Sequence, residues 1–163
     1  FPTREYEPST GEDLYRRGMY TFYKRTAPDP NLVLFDCPDA AVTNQVRNNS
    51  NTPLQALATL QNEVFFGAAR QMAFQLVNET AADDEGRLRK AFLTAMGRPA
   101  TSTETQVLLQ LLKQSHDWYL AHPDKALELT GGDKPADTPP EQTAAWISTT
   151  RILLNTDEFI TRS

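Results

Sequence analysis

Five groups of side chains in this 163-residue chain have types and spacings that invite a chemical reading. Asp36 and Asp39 lie three apart, and Asp157 adjoins Glu158. A glycoside hydrolase needs two carboxylates about 5–10 Å apart, one of them with a raised pKa. Asp36 with Asp39 is the better pair, because both fall in a long loop. The competing reading of that pair is turn chemistry and ion pairing with Lys24, Arg25 or Arg47. For Asp157 and Glu158 it is helix capping plus an ion pair with Arg162. Cys37 sits between Asp36 and Pro38. Neighbouring carboxylates work against a thiolate, so it reads as a small buried or half-buried residue rather than a nucleophile. His116, His122 and Cys37 are the metal candidates, with Asp117 and Asp124 close by. The two histidines are six apart on a helix and point to different faces. That falls short of ligand geometry, and no metal is expected.

The remaining two groups suit binding better than catalysis. Arg16, Arg17, Lys24 and Arg25 interleave with Tyr20, Phe22 and Tyr23. Aromatic rings and planar guanidiniums suit a protein interface. A glycan platform would need the same rings exposed, and a core-facing aromatic stripe with solvated charges is the plainer alternative. The polar turn from Arg47 to Thr52, with Asn51 and Gln55, ends at a helix N-terminus. Free N–H groups there favour an anion, and Arg47 is a ready clamp. The alternative is a loop whose Asn side chains satisfy it from within.

The elements that must carry these groups are helical. Thr52-Pro53-Leu54-Gln55 combines a capping residue, proline at the first helical position and a capping box. Leu54, Leu57 and Leu60 follow along one side, and Asn62-Glu63 is a break or a re-cap. Phe65, Ala68, Ala69, Met72 and Leu76 form the next stripe. Leu88, Ala91, Phe92, Ala95 and Met96 form another, stopped by Gly97 and Pro99. Thr103 with Gln106 reads as a capping box ahead of Val107, Leu108, Leu111, Leu112, Trp118 and Tyr119. His122-Pro123 ends that helix, and Ala126 to Leu129 can add a short turn. Thr138-Pro139-Pro140-Glu141 opens a helix with Trp146, Thr150, Leu153 and Leu154 inside. A short terminal helix restarts at Asn155 to Glu158. Ser9 and Glu12 have capping-box spacing ahead of a helix over 13–25, with a strand over 19–23 as the competitor. Residues 78–84 and 130–137 read as surface loops.

These patterns predict an all-α fold: an irregular bundle of five or six helices with one ordered loop over about residues 26–51. Residues 1–10 form an extended lead-in and 11–163 one helical domain. The expected core is Leu57, Leu60, Phe65, Ala69, Met72, Leu76, Leu88, Phe92, Met96, Leu108, Leu111, Trp118, Trp146, Leu153 and Leu154. Composition narrows the function classes. With 16 basic and 21 acidic residues the net charge is −5, against a nucleic-acid partner. Residues 101–163 hold 5 basic against 9 acidic residues. A mean hydropathy of −0.52 and the lack of any long apolar run exclude a helical membrane span. One cysteine allows no internal disulfide.

Several blocks carry a resemblance. They are the run from Arg16 to Thr26, Phe35-Asp36-Cys37-Pro38-Asp39, and Asn51-Thr52-Pro53-Leu54-Gln55-Ala56-Leu57 with Gln61-Asn62 after it. Gly97-Arg98-Pro99 and the run from Leu153 to Arg162 complete the set. In this order they resemble the planctomycete-specific domain of unknown function at the C-terminus of large planctomycete proteins. Those proteins often carry a cytochrome c domain. Two departures stand out: only Arg47 represents the basic stretch before Thr52, and Thr156 replaces a leucine. The resemblance implies a C-terminal piece of a larger protein exported to the periplasm or cell surface. Any haem would sit in another domain, since this chain has no Cys-x-x-Cys-His, and no cofactor is expected here. The residues and the resemblance together favour a non-catalytic structural or interaction module over an enzyme. It would dock on upstream domains of its own polypeptide through the Arg16 to Asn51 segment. The alternative is a carbohydrate-active domain, binding glycan or hydrolysing it with Asp36 and Asp39.

Overall fold

The computed structural model describes residues 6–24, 26–38, 43–46, 50–79, 83–131 and 138–161. The chain falls into two compact units, residues 1–56 and 57–163. Every regular element among the described residues is helical. The described residues form eight α-helices: α1 (Pro30–Leu34), α2 (Pro53–Gln61), α3 (Glu63–Val77), α4 (Asp84–Met96), α5 (Ser102–Ala121), α6 (Pro123–Thr130), α7 (Pro140–Leu153) and α8 (Asp157–Thr161). The all-α class is as expected, and the count exceeds five or six for local reasons. Asn62 re-caps the chain by accepting from the Val64 N–H at 2.9 Å, which separates α2 from α3. Asp29 caps a single turn, α1, inside the stretch read as loop, accepting from the Asn31 N–H at 2.8 Å.

The first unit is mostly irregular. The helix expected over 13–25 is instead two 3₁₀ turns, Gly11–Tyr15 and Gly18–Tyr20. Arg16 and Arg17 between them have extended ψ angles of 152° and 143°, which break a continuous helix. Gly18 belongs at this break, because a Cβ there would lie 2.8 Å from Leu32 Cδ2. The Tyr6 hydroxyl donates to Asp29 Oδ2 at 2.8 Å and ties the lead-in to the cap of α1. Burial and the adjacent Asp29 carboxylate push the Tyr6 phenol pKa up.

The second unit is a helical bundle centred on α7, which packs most extensively against α5, α3 and α6. Its residues Thr143 to Ile147, Thr149, Thr150 and Leu153 are all buried. A central helix this rich in threonine is stable because each hydroxyl finds a carbonyl. Thr149 Oγ1 donates to Ala145 O at 2.9 Å, and Thr143 Oγ1 to Pro139 O at 3.2 Å. The Thr150 hydroxyl lies 2.9 Å from each of three carbonyl oxygens, Trp146 and Ile147 of its own helix and Ala69 of α3, which share its one proton. Ala69, Ala73, Leu76, Leu88, Phe92, Leu108, Leu112 and Trp146 fill the core around it.

Four expected core residues lie outside the core cluster: Leu60 and Phe65, which are half-buried, and Leu57 and Trp118, which are exposed. Leu57 is 46% exposed and Trp118 48% exposed. In α2 the buried positions are the polar Gln55 and Thr59, four apart, so the leucine side faces out. In α5 the inward line is Thr105, Leu108 and Leu112, and Trp118 falls off it. Trp118 instead stacks on His122, with centroids 4.3 Å apart, and meets Tyr119 edge-on.

Caps also shifted. α5 is boxed by Thr101 and Glu104 rather than Thr103 and Gln106. The carboxylate of Glu104 accepts from the Thr101 N–H at 2.7 Å and at the same time binds Arg98. α7 begins without a side-chain cap, since Pro140 at its first position removes one of the N–H groups that would need a partner. α4 ends as read, with Gly97 at φ 76° and its N–H donating to Leu93 O. The loop readings at 80–82 and 132–137 lie outside the described residues.

Candidate functional site

Two features of the first unit gather the residues singled out in the sequence. One is a polar clamp around Gln55. The Thr52 N–H donates to Gln55 Oε1 at 2.8 Å, and the Gln55 N–H donates to Thr52 Oγ1 at 3.2 Å. This is the capping box read from Thr52-Pro53-Leu54-Gln55. The box orients the Gln55 amide so that its Nε2 faces the preceding loop. There it donates to Leu34 O at 2.8 Å, Ser50 Oγ at 3.0 Å and Asp36 Oδ2 at 3.4 Å. Asp36 Oδ2 also accepts from the Ser50 N–H at 3.0 Å and the Ser50 hydroxyl at 2.5 Å. Gln55 is 1% exposed. Asp36 holds φ at 55°, a region that costs any residue with a Cβ and that Asp and Asn tolerate best. One glutamine thus fastens the end of α1, residue 50 and the start of α2 together.

The other feature is a groove of about 470 Å³ formed by residues 18–38. Its lining is mainly apolar and includes Met19, Phe22, Tyr23, Leu32, Val33 and Cys37. Phe22 is 79% exposed, Met19 75% and Tyr20 65%. Three large exposed side chains within four residues form a patch of the kind that marks a binding surface. The alternative of a core-facing aromatic stripe does not hold for Tyr20, Phe22 and Tyr23, all of which are exposed.

The other candidates are placed as follows. Arg16 is exposed and pairs with Asp13 at 2.5 Å. Arg17 is exposed and precedes the second 3₁₀ turn. Lys24 is half-buried, and Asn51 is exposed. Arg25, Asp39 and Arg47 lie outside the described residues, so the Asp36–Asp39 pair and the Arg47 clamp have no geometry here. Cys37 is exposed rather than buried, and it is on the groove lining. Among the described residues no three His, Cys, Asp or Glu side chains converge as a metal site, and no helix is long and apolar enough to cross a membrane.

Sequence reasoning missed one charged node. Glu158 pairs with Arg98 at 2.6 Å, and Arg98 also binds Glu104 at 2.7 Å while lying over the Phe92 ring. The Arg162 proposed for Glu158 lies outside the described residues. The Arg98 hydrogen bonds, helped by the Thr101 N–H, pull Glu104 from its ordinary 4.5 down to about 2. The Glu158 pKa is lowered by its own hydrogen bonds from Arg98.

No characterised protein and no solved structure shows significant similarity to the chain. A family profile matches residues 1–112, which span the groove, the clamp and the helices through the first half of α5. The chain therefore belongs to the PSD1 family, described as protein of unknown function (DUF1553).

Proposed function

We propose that the chain is a non-catalytic interaction module whose groove over residues 18–38 docks on an upstream domain of the same polypeptide. The observation that carries this reading is the exposure of Met19, Tyr20, Phe22 and Tyr23 around that groove. The polar cluster beside it points the same way. Asp36 Oδ2 accepts three hydrogen bonds that fasten a loop, an arrangement that supports bracing rather than proton transfer. Arg17 and Lys24 adjoin the groove in sequence, and no ion pair among the described residues engages either. An apolar partner face edged with acidic residues therefore complements this surface in shape and charge. The resemblance to planctomycete-specific domains supports a parent exported to the periplasm or cell surface, with any haem in another domain.

Calorimetry between this chain and the upstream domains of its parent tests the reading. The expected result is measurable affinity that weakens at least about tenfold in Phe22→Ala/Tyr23→Ala, as loss of an aromatic anchor does. Absence of affinity, or unchanged affinity in the variant, overturns it. The same exposed rings favour one second reading, glycan binding without turnover. Binding on a glycan panel that is lost in the same variant, with no affinity for the upstream domains, would replace the first reading with the second.

A further inference from the structure

The second unit holds a cleft unrelated to the groove. It has a volume of about 380 Å³ and lies among the start of α4, the middle of α5 and the first turns of α7. Its floor includes Trp146 and Leu112, both buried. Its polar wall is Lys113 and His116, one turn apart on α5, with Gln142 of α7 opposite and Asp84 of α4 at the start of that helix. Lys113 is exposed and His116 and Gln142 are half-buried, so all three are open to a ligand from solvent. Here no hydrogen bond or ion pair among the described residues engages the side chain of Lys113, His116 or Gln142. Asp84 differs, since Arg87 of its own helix pairs with it at 3.1 Å. The cleft thus offers three unengaged polar side chains above an apolar floor, within the size range of small-molecule sites.

We infer that this cleft binds a small monocarboxylate with an apolar body. The Lys113 ammonium and the Gln142 amide would take the carboxylate, the His116 imidazole would border it, and the body would lie over Leu112 and Trp146. The charge balance selects a monoanion. Arg87 offsets the Asp84 charge, so Lys113 leaves one uncompensated positive charge, which a single carboxylate balances, whereas a doubly charged group such as a phosphate would lack a second cation. A purely apolar ligand would leave the Lys113 and Gln142 donors without partners.

Phenylacetate is the probe, with phenylacetamide as its neutral counterpart, titrated into the whole chain and followed by NMR. Shifts are expected at the His116 imidazole and the Trp146 indole, and His122→Gln and Trp118→Phe variants assign them. The dissociation constant expected for a ligand of this size is on the order of 1 mM. Phenylacetamide should bind at least about tenfold more weakly. Lys113→Met should weaken phenylacetate by a similar factor with an unchanged melting temperature, because Lys113 is exposed and unpaired. Gln142→Leu is a second variant with the same expectation. Equal binding of acid and amide, unchanged affinity in Lys113→Met, or no shift at His116 and Trp146 up to about fifty times that expected constant would each overturn the inference.

Discussion

Gln55 is the residue on which the first unit turns. Its backbone N–H and side-chain oxygen close the cap of α2, while its Nε2 serves three acceptors on residues 34, 36 and 50. Replacement by leucine keeps the size and removes the polar group. Leu34 O would lose its Gln55 donor in a place where Gln55 is almost fully buried, while Asp36 Oδ2 keeps its two bonds from Ser50. Gln55→Leu should therefore destabilise the chain by about 2 kcal/mol, the usual cost of stranding a buried acceptor. Denaturant titration measures this, and a variant as stable as the parent would mean the loop is held elsewhere. The capping box was legible in the sequence, since Thr52 and Gln55 have its spacing. The partners of Nε2 were not, because nothing local announces that residues 34, 36 and 50 fold back onto residue 55.

At the scale of elements, α7 shows how a helix of modest amphipathicity becomes the centre of a bundle. It is buried on several sides, and its threonines return their hydroxyls to helix carbonyls. Thr150 adds an interhelical acceptor, Ala69 O of α3, to Trp146 O and Ile147 O of its own helix, all 2.9 Å from its Oγ1 and sharing one proton. Thr150→Val preserves the shape and removes the hydroxyl, which leaves the Ala69 carbonyl to its own helix bond. The expected loss is about 1 kcal/mol in thermal or chemical unfolding, and no loss would assign the helix contact to packing alone. The stripe of α7 was read correctly at Trp146, Leu153 and Leu154, all buried. Its extra burial came from neighbours that the periodicity does not name. The same gap explains Leu57 and Trp118: each lies on an apolar line in the sequence, but the bundle used another line of the same helix.

For the whole molecule, the charged node at Arg98 joins the end of α4, the start of α5 and α8. Both of its carboxylates titrate below their unfolded values in the folded chain, Glu104 at about 2 against 4.5. A depressed carboxylate contributes stability that is present above the unfolded pKa and is lost as pH falls through the folded one. The melting temperature should therefore fall between about pH 4.5 and pH 2. Arg98→Met should flatten that fall, because both carboxylates then titrate nearer their ordinary range. Melting curves over this window compare the two chains, and parallel slopes would remove the node from the pH dependence. Arg98 is 40% exposed, so water screens the effect at neutral pH.

The sequence by itself determined the helical class, the cap at Thr52, the Gly97 stop and most of the inner faces of α3, α4 and α7. These depend on neighbours within four residues, where spacing and backbone preference act directly. Only the tertiary structure decided that Glu158 meets Arg98 across 60 positions, that Asp36 serves a clamp, and that Tyr20 and Phe22 face outward. Those outcomes depend on which distant surfaces meet. A ring or a carboxylate carries the same local signal whether the fold covers it or leaves it to a partner.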